Sequence, residues 1–142
     1  MVAFKSKVII MNLKVNIIKE DVFILLEDVV VESLVYKITV KKGFDFDGAS
    51  IPQALWGVYG NPLSGNFRIA ALVHDVLYAS QVLEKSICDS IFLELMKTHG
   101  VGYVKRYSMY NAVKVFGLKA WKSNQDELEK YKEFINVEKI DS

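Results

Sequence analysis

His74 and Asp75 are adjacent in the run Ala70-Ala71-Leu72-Val73-His74-Asp75-Val76-Leu77-Tyr78, which is otherwise apolar until its final tyrosine. On a helix Tyr78 lies one turn beyond His74 and on the same face, whereas Asp75 is rotated by about 100°. Burying a His-Asp pair among such neighbours is unfavourable unless partners satisfy both groups. A bound metal, a proton relay, or a hydrogen-bond network that pins a nearby loop would each justify the arrangement. Asp89 opens the next helical segment, beside Phe92, Leu93 and Met96, and from there a carboxylate faces His74 across a helical hairpin.

Asp45 and Asp47 stand in the stretch before Ser50. One histidine with up to four carboxylates suits a hard or borderline divalent cation with open positions, Ca2+, Mg2+ or Mn2+. It does not suit structural zinc, because soft ligands and a second close histidine are missing. The chemistry these residues point to is metal-assisted hydrolysis of an ester or phosphoester. In it His74 is the general base, Asp89 and Tyr78 stand beside it, and Asp75 and Asp47 are metal ligands. His99, near a helix end, reads as a surface or capping group.

The bland reading uses the same residues. Asp47-Gly48 makes a turn, Ser50 and Pro52 start a short helical turn, and Trp56 and Tyr59 fill the core. His74, Asp75 and Tyr78 then only satisfy one another and the loop backbone. Ser50 is no elbow nucleophile, since Gly48-Ala49-Ser50-Ile51-Pro52 is not Gly-x-Ser-x-Gly. Residues 57–65 are glycine-rich but have neither a Walker lysine nor dinucleotide spacing.

A different class of function is a non-catalytic binding module that meets a host protein or a small-molecule ligand. It expects an exposed apolar patch, along Tyr103, Tyr107 and Tyr110. A binder of a host signalling nucleotide is a third reading, in which loop amides with Arg68, Lys105 and Arg106 hold phosphates.

The elements that must position these side chains are legible from period. Leu13, Val15 and Ile17 alternate with polar residues, and residues 21–26 and 34–40 read as strands too. Three or four antiparallel strands joined by short polar turns are expected. Residues 43–65 hold five of the eight glycines and both prolines, which marks a long irregular segment. Three helical segments follow, at 67–80 with Asn66 as a cap, 86–98, and 102–116 with Gly117 as a stop. The fold class is therefore α+β: a small N-terminal antiparallel sheet, a long ordered loop and a three-helix cluster. Residues 1–121 form one domain. Residues 122–142, charged apart from Leu128, Tyr131, Phe134 and Ile135, read as a peripheral helix or tail that packs weakly.

Composition sets the frame. A chain of 142 residues with 51% hydrophobic and 25% charged residues can bury a core and is too apolar for disorder. Net charge is +1, so no global field recruits duplex nucleic acid or an anionic membrane, and any anion site must be local. The single Cys88 excludes a disulfide framework and reads as a buried, inert thiol. The apolar patch at Val8–Met11 is too short for a signal peptide core or a transmembrane span. A cytoplasmic location is the expectation.

The run from Gly43 through Asp45, Asp47, Gly48, Ser50 and Pro52, then Trp56, then Ala70–Tyr78, Asp89 and Phe92, resembles the family called domain of unknown function 1353. Met109-Tyr110-Asn111-Ala112-Val113, Gly117 and Trp121 extend the likeness, which covers roughly residues 10–121. The resemblance implies a small protein of bacteriophages, prophages and bacterial genomes, with virion association as one context, and brings no activity with it. A more local likeness is to secreted phospholipase A. There His-Asp-x-x-Tyr on a helix follows a glycine-rich loop and precedes an aspartate on the next helix. That likeness implies His74 as base, Asp75 as calcium ligand and Asp89 as the orienting group. The disulfides of that family are absent, and residues 59–65 depart from its calcium loop.

Overall fold

The computed structural model describes residues 7–8, 15–19, 22–47, 51 and 65–140. Its seven described strands are β1 (Lys7–Val8), β2 (Val15–Lys19), β3 (Val22–Leu25), β4 (Val29–Glu32), β5 (Tyr36–Val40), β6 (Asp45–Phe46) and β7 (Ile135–Lys139). They form two antiparallel sheets rather than one, ordered β1-β4-β5-β7 and β2-β3-β6. Alternation explains the register of the first sheet. Val29 and Val31 on β4 lie opposite Val40 and Ile38 on β5, and all four are buried. Gly43, at φ +93°, turns the chain out of β5, and its amide bonds the Leu25 carbonyl. That turn delivers Asp45 and Phe46 onto the edge of β3, so the irregular segment begins as a strand.

The described helices are α1 (Arg68–Ser80), α2 (Lys85–Thr98), α3 (Tyr103–Phe116), α4 (Leu118–Ser123) and α5 (Leu128–Lys132). Every residue of α1 from Ile69 to Ser80 is buried. A helix that is apolar almost all round belongs inside a core, and α1 is the central element of this one. A single 3-10 turn at Gly65–Phe67 leads into it, and no side chain caps its start, Asn66 included. Gln81 ends it in the left-handed conformation at φ 52°, with its side chain donating to the Trp121 carbonyl at 2.6 Å. On α2 the buried face is Cys88, Asp89, Ile91, Phe92, Leu95 and Met96. On α3 it is Met109, Ala112 and Val113.

Tyr103 and Phe116, both on the third helix, are 67% and 69% exposed. One expectation is corrected here. The weakly packed helix or tail expected toward the C-terminus is instead a short helix followed by β7, which pairs along the whole of β5. Tyr131 and Phe134 place their rings 5.8 and 6.2 Å from Phe44, and the Lys41 amide bonds the Phe134 carbonyl. The physical reason is β5, whose second edge needs a partner, together with the two-residue alternation of Ile135 and Val137.

Candidate functional site

Asp89 is the hub of a buried cluster. Its Oδ1 lies 2.8 Å from His74 Nε2 and accepts a bond of 2.7 Å from the Tyr78 hydroxyl. Its Oδ2 accepts from Lys85 Nζ at 2.8 Å. The positions follow from helix geometry. His74 and Tyr78 are four apart on α1, Lys85 and Asp89 are four apart on α2, and the two helices pack face to face. His74 and Tyr78 are wholly buried and Asp89 nearly so, while the Lys85 side chain keeps 19% of its surface.

The surroundings are aromatic and tight. The His74 imidazole has the Tyr78 ring at 4.2 Å and the Phe92 ring at 4.6 Å. Trp121 meets Tyr78 edge-on at 5.1 Å. A Cβ added to Gly117 would stand 2.3 Å from the Val113 carbonyl oxygen and 2.8 Å from the Tyr78 hydroxyl. Close approach of the α3–α4 junction to Tyr78 therefore requires glycine. Lys85 also donates to the carbonyls of Val113 at 2.9 Å and Lys114 at 3.4 Å, so one ammonium ties Asp89 to the C-terminal end of α3.

Protonation follows from these contacts. Burial pushes the Asp89 carboxyl up, but the bonds from His74, Lys85 and Tyr78 outweigh it and hold the group below its ordinary value. Burial pushes His74 below 6.5, against the bond to Asp89, which works the other way. An ionised carboxylate only accepts, so Nε2 carries the proton and donates, and Nδ1 carries the imidazole lone pair. Burial, with Asp89 beside it, raises the Tyr78 hydroxyl and keeps it a donor. Cys88 is buried and pushed up to about 12, chiefly by burial, as an inert thiol should be.

The structure thus brings together His74, Asp89 and Tyr78, and adds Lys85, which the sequence reading did not single out. The available signal was its i,i+4 spacing to Asp89. Asp75 is also buried on α1, one position round from His74, while Asp47 follows β6 on the exposed surface. Among the described residues no three His, Cys, Asp or Glu side chains are arranged to hold a metal ion. His74, Asp75, Asp89 and Asp47 are not gathered into one such group among the described residues. At Asp89 both oxygens are occupied, by three donors between them. Asp45 lies in β6, paired opposite Ile24. Gly48, Ser50, Pro52 and Trp56, with the loop amides considered for phosphate binding, lie outside the described residues. Between them, Ile51 is described and fully buried.

The remaining candidates are otherwise engaged. His99 is the C-cap residue of α2, with Nδ1 2.8 Å from the Leu95 carbonyl oxygen. Lys105 lies over the Phe67 ring at 4.9 Å, and Arg106 donates to the Val101 carbonyl at 3.1 Å.

The comparisons with known proteins agree with this cluster's place in the chain. The family described as protein of unknown function (DUF1353) matches residues 23–113, and the chain belongs to that family. It is also similar to an uncharacterised protein, y4jT, of Sinorhizobium fredii, at 33% identity over 81 residues. That match covers 57% of this chain and 24% of the relative, so the chain spans about a quarter of the relative's length. No solved structure matches. The likeness to phospholipase A is not among what the comparisons show.

Proposed function

We propose that the chain is a hydrolase of an ester or phosphoester in which His74 is the general base. The observation that supports this reading is the three-donor clamp on Asp89, which fixes a neutral imidazole in the Nε2–H tautomer. In the proposed step the His74 imidazole takes a proton from a water molecule brought to it with the substrate, as that water attacks the ester carbonyl or phosphorus. Asp89 stabilises the imidazolium that forms, and Tyr78 and Lys85 hold the carboxylate still. The proton then passes from the imidazolium to the leaving oxygen. A neutral histidine held below 6.5 is ready to accept a proton at pH 7 without first losing one. Asp75 alone does not make a coordination set, so no step is drawn through a cation.

The test is a screen of chromogenic carboxylic and phosphate esters near neutral pH, with and without His74→Asn. The reading expects turnover that falls about a hundred-fold or more in the variant while its fold persists by circular dichroism. Turnover that survives His74→Asn, or none with any ester, would reject it.

A second reading, a non-catalytic binding module, is favoured by one specific observation. Helix α3 leaves Tyr103, Val104 and Val115, and Phe116 at its end, largely exposed. This reading predicts that ligand or partner binding is unchanged by His74→Asn and lost on substitution of that face.

A further inference from the structure

The element that carries this exposed face is also where the chain's positive charge gathers. From Tyr103 to Ser123 there are five basic residues, Lys105, Arg106, Lys114, Lys119 and Lys122, and no aspartate or glutamate. The rest of the chain has thirteen basic and seventeen acidic residues. Gly117, at φ −76° and ψ −6°, joins α3 directly to α4, so the charge lies along two consecutive helices. Tyr103, Val104, Val115, Phe116 and Leu118 are each at least half exposed along it. Arg106 stacks its guanidinium 5.3 and 5.6 Å from the rings of Tyr103 and Tyr107, whose rings are 4.7 Å apart. Those two tyrosines are therefore held as fixed, outward-facing anchors at one end.

We propose that this face docks on an anionic lipid surface, with α3 and α4 lying along the headgroup plane. Charge complementarity decides the occupant. A second copy of the chain would set Lys114, Lys119 and Lys122 against the same three lysines, which opposes pairing of this face with itself. Nucleic acid would use the cations and tyrosines but leave Val104, Val115 and Leu118 without stacking partners. An acidic protein would complement the charge. However, Ser108 and Asn111 separate Val104 and Tyr107 from Val115 and Leu118, so the face lacks the central apolar cluster on which protein interfaces rest. Separate apolar side chains with exposed Lys114, Lys119 and Lys122 beside them suit insertion between headgroups, the lysines reaching for lipid phosphate. No helix among the described residues is long and apolar enough to cross the bilayer, so the contact is one of surface.

The experiment is flotation of the full chain with phosphatidylcholine vesicles, with and without phosphatidylglycerol. It reads binding alone, so it stands or falls apart from any hydrolysis. Binding is expected only with phosphatidylglycerol and should weaken as salt rises. The double variant Lys114→Glu/Lys119→Glu should lower it about ten-fold or more. Val104→Ser/Val115→Ser should also lower it markedly, with circular dichroism unchanged because both residues are exposed. Absence of binding, equal binding without phosphatidylglycerol, or indifference to either variant would overturn the proposal. So would binding to a polyglutamate peptide that survives Val104→Ser/Val115→Ser, which would assign the face to an acidic protein.

Discussion

Asp89 takes three donors on two oxygens at a nearly buried position, and the consequence is that its partners depend on its charge. Asp89→Asn leaves Lys85 without its counter-ion and sets an amide against the imidazole. The expected loss is about 3 kcal/mol of stability, read by urea denaturation. Tyr78→Phe removes one donor and keeps the packing, and should cost about 1.5 kcal/mol. A loss from Asp89→Asn no larger than that from Tyr78→Phe would show that the carboxylate is not the hub. The sign of the pH dependence also follows. His74 lies below 6.5 in the native state, so the unfolded chain binds more protons as pH falls past that value. Its contribution to stability is present above about pH 6.5 and is lost below it, and Asp89, held below 3.8, extends the loss into stronger acid. Denaturation midpoints should therefore fall on acidification from about pH 7 to about pH 5, and His74→Gln should flatten that slope. A midpoint that rises on acidification would contradict this. His74, Tyr78 and Asp89 were legible because helical spacing alone puts two of them on one face and the third across a hairpin. Lys85 was not, since an i,i+4 Lys-Asp pair is as common on a solvated surface as at a buried hub. The engagement of both Asp89 oxygens was not legible either, because counting carboxylates in sequence says nothing about which lone pairs are already taken.

At the scale of elements, the α3–α4 junction and β7 carry the two clearest dependences. Gly117→Ala would drive a methyl into the Val113 carbonyl oxygen and the Tyr78 hydroxyl. It should cost about 2–3 kcal/mol, with loss of near-ultraviolet signal from Tyr78 and Trp121. An unchanged thermal midpoint would mean that the junction can relax. Truncation before Phe134 removes β7, bares the edge of β5 and strips Phe44 of one aromatic neighbour. The shortened chain should unfold at lower urea and aggregate more readily, which light scattering would show. The three long helices and the strands at β2, β3 and β5 followed from periodicity. β7 did not, because five residues with two apolar members among charges carry a weak signal. Only the open edge of β5, a tertiary fact, turns Ile135 and Val137 inward.

At the scale of the whole molecule, a central helix apolar on nearly every side demands cover from all directions. The two sheets, α2 and the C-terminal segment supply it. The composition that predicted a globular chain said nothing of how charge is distributed, and the net value of +1 conceals the basic face on α3 and α4. The similarity to the Sinorhizobium protein extends over 81 residues, about a quarter of that protein's length.

The state of the His74 imidazole tests the account most directly. With only two histidines in the chain, nitrogen-15 spectra of wild type and His74→Gln assign the ring without ambiguity. The account predicts a neutral His74 ring, protonated at Nε2, across roughly pH 6 to 8. An imidazolium at pH 6, or a neutral ring protonated at Nδ1, would contradict it.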